Sequence, residues 1–416
     1  MRDKYLISFA IAAALLAAGA QGAEAEDWIG TWGASAQPVW DKDFLAPPKV
    51  PPNFWNQTLR EAATVSVGGS KVRIVLSNEY GNKPVTIGAA HIAVVDKGSA
   101  IAAGSDRALT FGGKPGFTIP PGAPAVSDPV DLSVAPLSTL AVSLYFPVVT
   151  PVETFHWEGR QTAYVVAGDH TGDADFKPDS TITAKAFLSE VMVDAKPGAR
   201  AVVTFGDSIT DGDGSTVDAN HRWPDNLARR LNERGGAEVA VINEGISGAM
   251  ILKDRMGVNA LARFDHDVLD QPHADVVTLM MGINDIGWPV SVLAPNDKVP
   301  AATDVIAGYE QLIARAHLHG MRIFGATLTP FEDTFHGTPL FGYYSVDKDK
   351  VRGEVNDWIR KSGKFDGVLD FDAVVRDPAN PAHVQAQYDA GDHLHPNDAG
   401  YVAIANSIDL DKLLGK

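Results

Sequence analysis

The chain has no cysteine among its 416 residues. That excludes disulfides, zinc–thiolate sites, iron–sulfur clusters, a cysteine nucleophile and lipoprotein-type attachment. Basic residues are scarce: 35 Lys and Arg against 52 Asp and Glu leave a formal net charge of -17. So acidic a surface repels phosphate backbones and anionic headgroups, so nucleic acid is not an expected partner, and the ordinary role of the charge is solubility. No apolar run reaches the roughly 20 residues that span a bilayer. Leu6 to Ala18 falls short of that length. It follows Arg2 and Lys4 and precedes Ala23-Glu24-Ala25, a small-x-small cleavage pattern. This reads as a signal peptide over residues 1–25, with the mature chain starting near Glu26. A secreted or periplasmic protein with no membrane anchor after cleavage is expected.

What is present is an ordinary globular composition, 45% hydrophobic and 21% charged. The length suits two domains of roughly 100–200 residues, each burying its own core. From Trp28 to about Asp194 the pattern is short strands and turns. Ala62 to Val67, Lys71 to Ser77, Pro84 to Val95, Thr139 to Pro147 and Thr162 to Ala167 read as strands, and Lys114 to Pro129 as loop. An all-β sandwich or jelly-roll is expected over residues 26–196. Lys196-Pro197-Gly198 reads as a linker.

From residue 199 to 416 the rhythm alternates. Apolar runs at Ala201 to Phe205, Glu238 to Asn243, Val276 to Met281 and Arg322 to Thr327 are strand-like. Helical stretches are expected at Pro224 to Arg234, Asp304 to His319, Lys348 to Lys361 and Asn397 to Leu414. Such alternation implies a parallel sheet covered on both faces, an α/β domain.

Four short segments carry chemistry, and each also resembles an ordinary turn. Gly206-Asp207-Ser208 follows a strand, where open α/β sheets bind ligands. Gly248, in Asn243-Glu244-Gly245-Ile246-Ser247-Gly248, can present its backbone N–H to a developing oxyanion. Asn284, in Gly282-Ile283-Asn284-Asp285, can do so with its side-chain amide. In Asp392-His393-Leu394-His395-Pro396 a carboxylate three residues before His395 can orient its ring toward a serine, the arrangement a weak hydroxyl nucleophile needs. His393 is the rival base. Asp285 suits a turn and Asp207 a loop hydrogen bond. Together the four segments supply nucleophile, base, orienter and oxyanion donors.

These blocks, in this order, resemble the SGNH or GDSL-type hydrolases over roughly Ala199 to Lys416. The resemblance implies a three-layer α/β/α flavodoxin-like domain with a shallow site. It implies Ser208 as nucleophile, Asp392 and His395 as its triad partners, and Ser208, Gly248 and Asn284 as the oxyanion hole. No cofactor and no metal is implied. Gly206-Asp207-Ser208-Ile209-Thr210-Asp211-Gly212 with Arg222-Trp223-Pro224-Asp225 is similar to a branch of secreted esterases with an N-terminal β-domain, some associated with xylan breakdown.

The expected function is a serine esterase acting on acetyl or short-chain esters, of small molecules or plant polysaccharide. A lipase, lysophospholipase or thioesterase is the alternative within the same chemistry, disfavoured by the lack of a long apolar lid segment. A non-catalytic carbohydrate-binding surface protein is the alternative outside it. Trp288 and the cluster Phe331, Phe335, Phe341, Tyr343 and Tyr344 are candidates for a substrate wall or for loop packing; Trp288, Phe331 and Tyr343 are the ones named for binding. Asp211, Asp213 and Asp218 only faintly resemble a calcium loop, without its register. His317 and His319 do not share a helix face. The β-rich half either binds glycan or supports the catalytic half and shapes its cleft.

Overall fold

The computed structural model describes residues 27–40, 44–236 and 238–416, so the signal-peptide assignment lies outside it. Among the described residues no helix is long and apolar enough to cross a membrane.

The N-terminal half is built from antiparallel sheets. Its principal strands are β1 (Trp28–Gly33), β2 (Gln57–Thr64), β3 (Gly69–Ser77), β4 (Ala89–Lys97), β5 (Thr139–Phe146), β6 (Thr154–His156), β7 (Ala163–Ala167) and β8 (Leu188–Asp194). One sheet runs β1-β8-β3 and another β7-β2-β5-β4. In β3 the alternation is plain: Val72, Ile74 and Leu76 are buried while Lys71 and Arg73 are not. These residues meet Leu59, Ala63, Leu140, Val142 and Leu144 of the other sheet in one core. The stretch expected to be loop, Lys114 to Pro129, contains two three-residue strands, Phe117–Ile119 and Pro124–Val126. The strand expected over Ala62 to Val67 is displaced to Gln57–Thr64. The Val65 N–H is bonded instead to the Ser138 carbonyl, and that of Ser66 to Thr31.

The C-terminal half is a three-layer α/β/α domain. Its five strands β9 (Arg200–Gly206), β10 (Val239–Gly245), β11 (Ala274–Met280), β12 (Arg322–Ala326) and β13 (Gly367–Leu369) are all parallel, in the order β10-β9-β11-β12-β13. The helices are α1 (Ser208–Asp211), α2 (Trp223–Arg234), α3 (Ala260–Phe264), α4 (Ile283–Gly287), α5 (Ala302–Leu318), α6 (Val346–Lys361), α7 (Phe371–Val375), α8 (Asp398–Ser407) and α9 (Leu410–Leu414). Val202, Val241, Val276 and Phe324 point to the face covered by α2, α8 and α9. Val203, Phe205, Val277 and Ile323 point to the opposite face, under α3, α5 and α6. The single helix expected over Asn397 to Leu414 is broken at Ile408, where Asp409 accepts the N–H groups of Asp411 and Lys412 and starts α9.

Each half buries a core of its own, and the N-terminal core extends onto the parallel sheet. Ala201, Ala240 and Ile242 of the parallel sheet belong to the N-terminal core. Strand β1 lies against the edge strand β10. It covers a patch that a crossover helix covers elsewhere in the sheet.

Candidate active site

The strand order reverses between β9 and β11, and open α/β sheets leave a crevice at such a point. The loops after β9, β10 and β11 converge there with the segment that precedes α8.

Strand β9 ends at Gly206, and the Asp207 carboxylate accepts the Ile209 N–H at 3.1 Å, capping α1. Ser208 is therefore the first helical residue. Its Oγ lies 2.8 Å from His395 Nε2. His395 Nδ1 lies 2.5 Å from Asp392 Oδ2. The other oxygen, Asp392 Oδ1, accepts the N–H groups of Leu394 and His395 at 3.0 and 2.9 Å. Asp392 is thus locked onto the turn that carries its own histidine, and the three-residue spacing makes one rigid unit.

Burial of His395 favours a neutral ring. The Asp392 carboxylate, then Asp213 with Oδ2 3.9 Å away, outweigh it and push the ring up to about 9. Burial likewise opposes ionisation of Asp392. Its charge and hydrogen-bond pairing with His395 nevertheless holds it well below the usual carboxylate range.

Gly248 has φ of +75°, a left-handed conformation that glycine adopts without strain. A Cβ there would fall 2.8 Å from Met256 Cγ. Asp285, 4% exposed, holds the same loop by accepting the N–H groups of Ile251 and Leu252 at 2.9 and 3.0 Å. Asn284 Nδ2 donates to the Ala249 carbonyl at 3.0 Å. Its Oδ1 accepts from Trp288 Nε1 at 3.0 Å and from the Tyr343 hydroxyl at 2.8 Å. With Oδ1 doubly occupied the amide has one satisfied orientation, and Nδ2 keeps a second hydrogen.

Ser208, Gly248, Asn284 and His395 line one cavity of about 150 Å³. The remaining walls are largely apolar and include Trp157, Met256, Trp288, Leu293, Phe335 and Tyr343. Phe44 and Leu45 of the N-terminal half close one side, and Phe44 stacks on Trp288 at 6.1 Å.

The residues singled out from sequence separate into groups. Trp288 and Tyr343 line the cavity and also fix the Asn284 amide, a role the sequence did not disclose. Phe331 does not line it; it is fully buried, edge-on to Tyr343 at 6.1 Å. Phe341 is exposed, so the aromatic cluster is not a continuous platform. His393 does not face the serine. Its φ is +63° rather than extended, and its Nδ1 lies 2.6 Å from Asp389 Oδ2. Asp218 accepts from the Thr162 N–H and hydroxyl, while Asp213 lies between Arg160 and His395. His317 lies at the surface beside Asp366. Phe44, Leu45 and Trp157 escaped the sequence reading because they belong to the other half and no local motif marks them.

No curated protein matches the chain. Among solved structures, a carbohydrate acetylesterase family member from Sinorhizobium meliloti is 19% identical, covering 52% of this chain and 100% of its own, with a TM-score of 0.40. An aryl esterase from M. smegmatis is 19% identical, covering 50% and 94%, with a TM-score of 0.37. A lipase/acylhydrolase from Enterococcus faecalis is 21% identical, covering 50% and 92%, with a TM-score of 0.38. Residues 204–403 match the model of the GDSL-like lipase/acylhydrolase family, a stretch that spans most of the parallel sheet and the loops carrying Ser208, Gly248, Asn284, Asp392 and His395.

Proposed function

We propose that the chain is a serine esterase cleaving acetyl, other short-chain and aryl carboxylic esters through an acyl-enzyme. Ser208 is the nucleophile, His395 the base and Asp392 its orienting carboxylate. The observation that carries this reading is the chain Asp392–His395–Ser208, at 2.5 and 2.8 Å, opening on a cavity that Gly248 and Asn284 share.

Ser208 Oγ attacks the ester carbonyl as its proton passes to His395 Nε2. Asp392 holds the tautomer and stabilises the imidazolium. The oxyanion accepts from the N–H groups of Ser208 and Gly248 and from Asn284 Nδ2. His395 returns the proton to the departing alcohol. Water, deprotonated by His395, then releases the acid and frees Ser208.

Cavity size supports a short acyl or aryl group. An apolar cavity of about 150 Å³ accommodates a molecule the size of benzene. Acetylated polysaccharide fits the same reading, with the acetyl group in the cavity and the sugar outside it. We further propose residues 26–196 as a β-sandwich domain and 199–416 as the hydrolase domain, exported by the leader-like residues 1–25.

Hydrolysis of p-nitrophenyl acetate, butyrate and palmitate and of acetylated xylan by wild type and Ser208→Ala tests the reading. Activity that falls with chain length and vanishes in the variant is expected. Appreciable turnover by Ser208→Ala would overturn the mechanism, and a maximum at palmitate would overturn the substrate class.

A further inference from the structure

His156 ends β6 in the N-terminal half, yet its ring is buried against the catalytic loops. Nδ1 lies 3.0 Å from the Ser35 carbonyl, which only accepts, so this nitrogen donates. Nε2 lies 3.0 Å from Asp211 Oδ1. The second oxygen, Asp211 Oδ2, accepts the N–H and the hydroxyl of Ser247, each at 2.8 Å. Asp211 closes the helix that Ser208 opens, and Ser247 adjoins Gly248. One buried carboxylate therefore ties together the helix of the nucleophile, the oxyanion loop and the N-terminal half. The contact is close because β10 ends in Gly245. A Cβ there would fall 2.8 Å from Asp211 Cα.

Burial opposes ionisation of Asp211, but His156, Arg222 and Ser247 hold it below the usual carboxylate range. A buried carboxylate that loses a donor is costly. It recovers one by shifting or by admitting water, and Ser247 moves with it.

We propose, on the serine-esterase reading above, that His156 is a positioning residue for the oxyanion hole. Through Asp211 and Ser247 it holds the Gly248 N–H in register with Ser208. The N-terminal half thereby completes the active site as well as walling its cavity.

The test uses the full-length chain, p-nitrophenyl acetate, and the variants His156→Leu and His156→Gln, the latter able to return a donor to Asp211. For His156→Leu, kcat falls about ten- to hundredfold, the cost typical of a misplaced catalytic group, while KM stays within about threefold. His156→Gln recovers much of the loss. A folded His156→Leu with wild-type kcat would overturn the proposal. So would a loss confined to KM and melting temperature. If His156→Leu does not fold, Ser247→Ala takes its place, since it removes one Asp211 bond without touching β6; an unchanged kcat there overturns the proposal as well. Activity in Ser208→Ala would defeat the serine-esterase reading itself, whereas an inactive Ser208→Ala beside a fully active His156→Leu would defeat only this inference.

Discussion

The Tyr343 hydroxyl donates to Asn284 Oδ1 across 2.8 Å, from a position 59 residues away in the chain. It fixes the amide that the proposed mechanism aims at the oxyanion. Tyr343→Phe leaves Trp288 as the remaining donor to that oxygen. A typical buried hydrogen bond has a net worth of about 1 kcal/mol. A fall in kcat of up to about tenfold with little change in KM is expected. Asn284→Ala removes the donor itself and should cost about 10²–10³ in kcat. Steady-state kinetics on p-nitrophenyl acetate separates the two; equal losses would mean that Tyr343 is as indispensable as the amide.

The charge around His395 predicts an alkaline enzyme. In the proposed mechanism His395 acts as base only when neutral, and Asp392 and Asp213 push its pKa up to about 9. Activity should therefore climb with pH well past histidine's ordinary 6.5 and level off only above about 9. Asp213→Asn removes one of the two charges and should shift the kcat/KM profile toward lower pH. The same shift has a stability consequence of opposite sense. The paired, protonated His395 contributes fully below pH 6.5, and that contribution is lost as pH rises through about 9. A profile half-maximal near 6.5 in wild type would contradict this account of the site.

On the proposed reading, the N-terminal wall of the cavity sets acyl-length selectivity. Phe44 packs on Trp288 at the cavity side. Phe44→Ala should open that side and raise the ratio of butyrate to acetate hydrolysis, with the acetate rate reduced only modestly. An unchanged ratio would place the acyl group against another wall.

Glu190 lies at the junction of the halves, with a buried Oε1 that has no hydrogen-bond partner among the described residues. Burial pushes it up to about 7, opposed in part by His266. The folded state thus holds this proton more tightly than the unfolded chain does. Its favourable contribution is complete below about pH 4.5 and is lost as pH rises through about 7. Glu190→Gln has no proton to lose and should stabilise the protein at pH 8 by about 1–3 kcal/mol, with the gain disappearing near pH 4. Thermal melts of both proteins at the two pH values measure it. A variant that melts lower at pH 8 would mean that the ionised carboxylate has a partner in solution.

Much of the fold and site was legible in the sequence because it depends on neighbours in the chain. Strands β9 to β12 announce themselves as short apolar runs, since a parallel strand is buried on both faces. Asp392 and His395 form one turn, so their pairing follows from spacing. By contrast β1 was not recognised. All six residues of Trp28–Gly33 are buried and two are glycine, so no in–out alternation marks it despite the β-branched Ile29 and Thr31. His393 illustrates a different failure. Two residues from His395 it should face the same way on an extended chain, but a left-handed φ turns it to Asp389.

The sequence by itself determined the parallel α/β domain, the strand-rich N-terminal half and the candidates Ser208, Gly248, Asn284, Asp392 and His395, because each is set by a pattern a few residues long. Only the tertiary structure decided how those groups are held. Asn284 takes its orientation from Tyr343, Asp211 is engaged by His156 at 55 residues' separation, and Phe44 closes the cavity from the other half. Contacts of this kind leave no periodicity or spacing behind, since they join side chains whose neighbours in the chain have no part in the interaction.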